Sequence, residues 1–199
     1  MKQNTLKSIS QLMRLHQPVG IFLLLWPTWH ALWLLHPRPL HTSVFYLLTA
    51  GVILMRSTGC IINDLCDRNI DGAVSRTHTR PLVQKTVSIP CAIILAVIGL
   101  CLSAIIALQL PKICWVLAVF GAIITLLYPL SKRWCPCPQL FLSIAFAWPV
   151  LITTGALHGN LTHVPWILFI ASCLWTFAYD TLYAMADKKD DLKLDIHSS

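Results

Sequence analysis

The chain has 199 residues, of which 56% are apolar and 12% are charged, whereas soluble proteins contain about 25% charged residues. This composition excludes a disordered chain, a soluble DNA-binding domain and a cytosolic enzyme with an ordinary polar surface. We attribute the formal net charge of +7 to membrane topology rather than to nucleic acid binding, because the chain is so apolar. The sequence therefore predicts an integral membrane protein that contacts the lipid bilayer and no nucleic acid.

Apolar runs mark six predicted membrane spans, each close to the ~20 residues that cross a bilayer. A mildly amphipathic segment, residues 5–16, precedes them and predicts a helix in the membrane interface. The sequence lacks the strict alternation of barrel strands, so we expect the spans to be helical. We predict an all-α, polytopic transmembrane helix bundle that forms one domain, residues 1–199. Its spans are 18–35, 42–62, 88–109, 113–131, 138–157 and 163–185.

Lysine and arginine are concentrated in alternate segments between the spans. Twelve of the 15 lie before the first span or after the second, fourth and sixth spans, and two lie in the opposite set. The positive-inside rule places the twelve, and with them both chain ends, in the cytoplasm. All eight acidic residues are aspartates, in two clusters at 64–71 and 180–195. This topology puts both clusters on the cytoplasmic side, where they can meet.

The first aspartate cluster follows the second span. On a continuing helix Asp64, Asp67 and Asp71 would lie at i, i+3 and i+7, on one face. Three neighbouring carboxylates repel one another unless a cation joins them, and oxygen ligands with open positions for water and phosphate suit Mg²⁺. A solvated helix end is the alternative. We favour a metal site, because acids at a membrane edge are seldom without function.

The second aspartate cluster closes the sixth span. Asp180, Asp187 and Asp191 lie at i, i+7 and i+11 on one helical stripe, which Tyr183 shares. Asp180 is surrounded by apolar residues, where an unpaired charge would be costly. The pattern predicts a second acidic site on the same side of the membrane as the first.

Basic side chains accompany both clusters. Arg76 and Arg80 follow the first cluster, and Tyr128, Lys132 and Arg133 close the fourth span. Guanidinium and ammonium groups suit phosphate oxygens, although positive-inside topology alone also places basic residues here. Together with two aspartate clusters, these residues favour a diphosphate bridged by Mg²⁺.

Arg56 lies about two turns inside the second span, on the helical face of Asn63. An intramembrane arginine usually pairs with a functional group. A carboxylate ligand is one interpretation, and a structural hydrogen bond to the carbonyls of a neighbouring helix is the other.

These motifs resemble those of the UbiA superfamily of intramembrane aromatic prenyltransferases. NDLCDRNID at 63–71 is similar to the family's NDxxDxxxD, and DTLYAMADKKDD at 180–191 contains its second motif, DxxxD. YPLSK at 128–132 resembles the family's YxxxK. The segments around 14–34 and 56–64 further resemble the 4-hydroxybenzoate polyprenyltransferase branch.

The resemblance implies Mg²⁺-dependent transfer of a polyprenyl group from polyprenyl diphosphate to 4-hydroxybenzoate in ubiquinone biosynthesis, at a bacterial inner membrane. The metal, and through it the diphosphate, would be held by six residues: Asn63, Asp64, Asp67, Asp71, Asp187 and Asp191. Lys132 and Tyr128 would assist the leaving group. Arg56 would bind the benzoate carboxylate. Further substrate contacts are expected from Arg76, Arg80, Arg133, Asp180 and Tyr183.

The family typically has about nine spans, so the resemblance also implies that residues 1–199 lack the last three helices. Three alternatives remain open. They are an inactive truncated remnant, a UbiA-type prenyltransferase for another aromatic acceptor, and a non-enzymatic membrane protein such as a cation carrier. Acids gathered at one membrane face argue against a carrier. The sequence makes no prediction of prenyl chain length or oligomeric state.

Overall fold

The computed structural model describes residues 2–35, 43–73, 77–131, 135, 137–161 and 163–194, with side chains for 5–185 of these except Val164. These ranges contain seven α-helices and no strand, which confirms the predicted all-α class. In chain order the helices are α1 Lys2–Leu12, α2 Val19–Leu35, α3 Ser43–Asp67, α4 Ile89–Leu108, α5 Lys112–Ser131, α6 Pro138–His158 and α7 Val164–Leu194. A 3₁₀ turn, Asp71–Ala73, follows α3.

Five of the described helices, α3 to α7, are long and apolar enough to cross a membrane. Only 17% of the most apolar window of α4 is buried against the rest of the molecule, so most of its apolar surface is available to lipid. The apolar helix α2 covers the first predicted span but has 17 residues, fewer than the ~20 of a full crossing. The chain is a multi-pass helical membrane protein.

Local sequence explains several helix ends. Ser88 precedes α4, and its side chain accepts a hydrogen bond from the Cys91 N–H, while Pro90 occupies the first turn. Such a cap satisfies a donor that the helix leaves unpaired. Gly159 follows α6 with φ of 69°, a left-handed conformation that glycine adopts without steric cost.

Buried side chains fix α1 and the loop before α4 against the end of α3. Leu12 of α1 is fully buried and belongs to one apolar cluster with Ile61 of α3, Leu82 and Val87 of the loop, and Ala92 of α4. Burial of a leucine side chain contributes about 2 kcal/mol. The predicted interfacial segment is therefore a helix that packs on the bundle and brings its C-terminal turn to the first aspartate motif.

Helices α3 and α4 approach closely at a small residue. A Cβ at Gly99 would overlap Thr58 Oγ1, so only glycine leaves room for this hydroxyl. Thr58 is 2% exposed. Small residues at such crossings are typical of membrane helices, because they allow backbones to pack closely.

Candidate active site

A cavity of about 1740 Å³ extends between the helices. It brings together most of the predicted site residues that the structure describes. Those on its wall are Arg56, Asn63, Asp64, Asp67, Asp71, Arg80, Tyr128, Asp180 and Tyr183. Arg76, Lys132 and Arg133, and the side chains of Asp187 and Asp191, lie outside the described residues.

The aspartates of the first motif are buried at one end of this cavity. Asp64 is 1%, Asp67 8% and Asp71 5% exposed, which does not fit the alternative of a solvated helix end. The helix does not continue through the motif as the spacing suggested: α3 ends at Asp67. The Ile70 N–H donates to Asp67 O and the Ala73 N–H to Ile70 O. These i→i+3 bonds tighten the chain and carry Asp71 back to the cavity.

Two arginines converge on Asp64. Arg14 Nη2 donates to Asp64 Oδ1 at 2.9 Å and to Oδ2 at 3.1 Å. Arg80 Nη1 lies 3.1 Å from Asp64 Oδ1 and also donates to Asp71 Oδ2. Arg14 stands in the turn after α1 with φ of 56° and donates from Nη1 to Gln11 O. The first motif is thus a network of buried carboxylates and arginines rather than three adjacent acids.

Asp71 lies in the loop outside the predicted spans. Burial raises the pKa of its carboxyl, and the charge and hydrogen bond of Arg80 oppose that rise. The loop is held by Thr77, whose hydroxyl donates to Asp71 O at 2.8 Å. Because burial has the larger effect, Asp71 gives up its proton less readily than an exposed aspartate.

The donor chemistry at this end of the cavity fits Mg²⁺, since carboxylate and amide oxygens are its preferred protein ligands. In the part of the chain that the structure describes, however, no three acidic, histidine or cysteine side chains converge as a metal cluster. The Asp64 oxygens accept hydrogen bonds from Arg14, and one Asp71 oxygen accepts a hydrogen bond from Arg80. A complete metal site would also require the second motif.

Arg56 lies on the cavity wall further inside the bundle. Its guanidinium carbon is 5.6 Å from the centre of the Phe146 ring, a distance at which cation–π attraction operates. Its Nε is buried and has no hydrogen-bond partner among the described residues. Gly20 of α2 makes space for this side chain, because a Cβ there would lie 2.6 Å from Arg56 Nη2. The guanidinium is therefore available to a ligand in the cavity.

The end of α7 contributes an aromatic series beside Asp180. Trp175 and Tyr179 stack at 5.9 Å, and the Tyr179 and Tyr183 rings are 4.8 Å apart. Tyr179, Asp180 and Tyr183 all line the cavity. The helix thus extends the cavity wall from its apolar part toward the second motif.

Comparison with known proteins assigns the family. The sequence profile of the UbiA prenyltransferase family matches residues 24–199. The chain belongs to the UbiA prenyltransferase family. Two curated relatives, both named 4-hydroxybenzoate octaprenyltransferase, come from Neisseria meningitidis serogroup B and Tolumonas auensis. The chain is 44% and 42% identical to them over 189 residues, which make up 95% of this chain but only 64% and 66% of theirs.

Two solved structures share the fold of this chain. The apo structure of a UbiA homolog from Aeropyrum pernix K1 matches with a TM-score of 0.74 and 26% identity, over 98% of this chain and 68% of that one. A digeranylgeranylglyceryl phosphate synthase structure shares the fold, with a TM-score of 0.72 and 21% identity.

Sequence reasoning missed several polar residues on the wall of this UbiA cavity, among them Arg14, Gln139 and Thr176. Arg14 is one of the twelve basic residues that the positive-inside rule already explains, so the sequence gives no separate sign of its contact with Asp64. Gln139 and Thr176 are polar residues within apolar helices, and both are buried. Their spacing in the sequence gives no sign that the fold brings them to the same cavity.

Proposed function

We propose that this UbiA-family chain carries the substrate-binding cavity of an enzyme that transfers a polyprenyl group from polyprenyl diphosphate to 4-hydroxybenzoate. The observation that carries the proposal is the cavity that joins the buried aspartate–arginine network to Arg56. One end suits a diphosphate, and the other suits an aromatic carboxylate. The names of the curated relatives, which the chain matches over 64–66% of their length, support this acceptor.

The diphosphate would bind at the network of Arg14, Arg80 and the first motif. Arg80 would contact its oxygens, and Arg76, Tyr128, Lys132 and Arg133 would add further contacts. Bound Mg²⁺ would neutralise the diphosphate as it leaves. Its proposed ligands are Asn63, Asp64, Asp67, Asp71, Asp187 and Asp191, with Asp64 acting mainly through the two arginines that it holds.

The prenyl chain would lie against the apolar wall formed by α4 and α5. Small and aliphatic side chains from both helices line the cavity there: Leu100, Ala104, Ala107, Ala118 and Val119. A dry wall of this kind keeps water away from the allylic carbon when its bond to the diphosphate breaks.

Arg56 would bind the carboxylate of 4-hydroxybenzoate through a charge-assisted pair of hydrogen bonds. The acceptor is then fixed with its ring toward the allylic carbon. The ring carbon ortho to the hydroxyl forms the new carbon–carbon bond, the allylic carbon–oxygen bond breaks, and the ring carbon loses its proton to a base. The diphosphate leaves with the electron pair of the broken bond.

In a bacterial inner membrane, the lysine and arginine distribution supports a topology with α1, the aspartate motifs and the end of α7 at the cytoplasmic face. The diphosphate head group and 4-hydroxybenzoate would then both be bound near the cytoplasmic side. Prenylated 4-hydroxybenzoate formed there would serve ubiquinone biosynthesis.

A transfer assay tests the proposal. The chain in lipid nanodiscs, with Mg²⁺, radiolabelled polyprenyl diphosphate and 4-hydroxybenzoate, should form prenylated product, and Asp67→Asn should lower its rate at least about 100-fold. Arg68→Gln, which changes the exposed neighbour of Asp67, is the matched control and should keep the rate. Equal rates for Asp67→Asn and the control, or a chain that neither transfers nor binds the two substrates, would overturn the proposal.

A further inference from the structure

Two buried polar side chains on the cavity wall have no role in the mechanism above. Gln139 is 2% and Thr176 1% exposed, and both line the cavity. Gln139 Oε1 and Thr176 Oγ1 each lack a hydrogen-bond partner within the described ranges. Buried polar atoms are almost always paired, so unpaired ones on residues that line a cavity point to a ligand.

Contacts between α6 and α7 show that these two residues lie at the same depth. Cys173 Sγ is 3.6 Å from Ser143 O, and the rings of Trp148 and Phe169 are 6.3 Å apart. The helices are antiparallel, so one turn further toward the N-terminus of α6 corresponds to one turn further toward the C-terminus of α7. This register places Thr176 opposite Gln139.

The number of residues along α6 gives the distance between this pair and Arg56. The Arg56 guanidinium lies over Phe146, which is seven residues from Gln139 along α6. Seven residues of α-helix rise about 10 Å. A benzene ring with polar groups at its two opposite ends, and a hydrogen bond at each, spans a similar length. A carboxylate at Arg56 would therefore direct the para substituent toward Gln139 and Thr176.

A hydroxyl is the ligand group that satisfies both unpaired atoms. Gln139 Oε1 is an acceptor only, so it requires a donor, whereas the Thr176 hydroxyl both donates and accepts. A phenol hydroxyl can donate to Gln139 Oε1 while it accepts from Thr176. A carboxylate or phosphate oxygen would instead face the Gln139 oxygen as a second acceptor.

We propose that Gln139 and Thr176 bind the phenol hydroxyl of the aromatic acceptor and make the site specific for a para-hydroxylated ring. This inference rests on the proposed function, because it requires an aromatic acid at Arg56. An acceptor without the hydroxyl leaves both buried atoms unpaired, and sites built to bind a hydroxyl reject such analogues strongly. The pair also sets the ring orientation, with the ortho carbon beside the anchored hydroxyl.

Equilibrium binding of 4-hydroxybenzoate and benzoate to the chain in nanodiscs tests the proposal without any catalytic step. The unaltered chain should bind 4-hydroxybenzoate at least about tenfold more tightly than benzoate. Gln139→Met should reduce that ratio to about one and leave benzoate binding unchanged. Gln109→Met is the matched control, since Gln109 is exposed at the end of α4 and outside the cavity. It should keep the full ratio.

Arg56→Met separates this inference from the proposed function. This variant should weaken the binding of 4-hydroxybenzoate and of benzoate equally. If Arg56→Met weakens both and Gln139→Met keeps the full preference for the hydroxylated acid, only the present inference is overturned. If the unaltered chain binds neither acid, or if Arg56→Met weakens the binding of neither, the proposed function fails as well.

Thr176→Val, which keeps the side-chain shape, provides a second variant should Gln139→Met not fold. An unchanged ratio in that variant contradicts the proposal.

Discussion

Arg14 donates from one nitrogen to both carboxylate oxygens of Asp64, at 2.9 and 3.1 Å, although 50 positions separate the two residues in the sequence. Asp64 is almost fully buried, and Arg80 approaches the same carboxylate from the loop before α4. The contact therefore joins α1, α3 and that loop at the end of the cavity where the diphosphate is proposed to bind. Its charges stabilise one another only while all three segments keep their places.

Arg14→Gln should lower the free energy of unfolding by about 2 kcal/mol. This is below the ~3–5 kcal/mol of a buried pair broken outright, because Arg80 still neutralises Asp64. Lys7→Gln, on the exposed surface of α1, is the control and should change little. Unfolding in detergent measures both. In a double-mutant cycle with Asp64→Asn, we expect a coupling energy above about 0.5 kcal/mol, and strictly additive effects would contradict a direct pair.

Gly20→Ala should weaken 4-hydroxybenzoate binding without unfolding the protein. The new Cβ would stand 2.6 Å from Arg56 Nη2, so the flexible guanidinium must move away from its position over Phe146. Loss of one hydrogen bond to a charged group corresponds to roughly tenfold in Kd. Gly51→Ala is a matched control on the same cavity wall, since its Cβ would meet its nearest neighbour at an ordinary 3.7 Å. Equal affinities in the two variants would show that Arg56 does not hold the acceptor.

Gly99→Ala should destabilise the packing of α3 on α4. Its Cβ would overlap Thr58 Oγ1, and overpacking of this kind costs about 1–3 kcal/mol. Thr58→Ala in the same chain removes the obstructing hydroxyl and should restore much of the loss. Thermal unfolding in detergent checks both variants. A Gly99→Ala chain as stable as the original would show that the two helices are further apart than described.

Removal of Mg²⁺ should weaken ligand binding at one end of the cavity and leave binding at the other end unchanged. With a chelator present, binding of a non-hydrolysable polyprenyl diphosphate analogue should weaken at least about tenfold, because its charge would be neutralised by arginines alone. Binding of 4-hydroxybenzoate should stay the same, since Arg56 contacts it without the metal. Calorimetry on one nanodisc preparation measures both ligands. Equal weakening of both would mean that the metal supports the fold rather than the diphosphate.

The sequence was sufficient to predict the positions of the apolar helices, because hydropathy determines which segments enter a bilayer. It also predicted Arg56 as a site residue, because an arginine within an apolar span is rare, and this residue lies on the cavity wall. The end of α3 at Asp67 was not foreseen, because the choice between α and 3₁₀ geometry depends on how the following loop packs. Two further features depend on how distant helices pack against one another, which no local sequence pattern predicts. They are the pairing of Arg14 with Asp64 and the common depth of Gln139 and Thr176.

Photo-crosslinking tests the central claim most directly, namely that one cavity holds the diphosphate at the aspartate–arginine network and the prenyl chain against α4 and α5. A polyprenyl diphosphate analogue with a photoreactive group on its chain would be crosslinked to the protein in nanodiscs and mapped by mass spectrometry. The account predicts labels at the cavity residues of 100–119, lost with excess polyprenyl diphosphate and retained with 4-hydroxybenzoate. Labels confined to the lipid-facing side of α4, such as Ile94 and Val97, or labels that excess diphosphate does not displace, would contradict it.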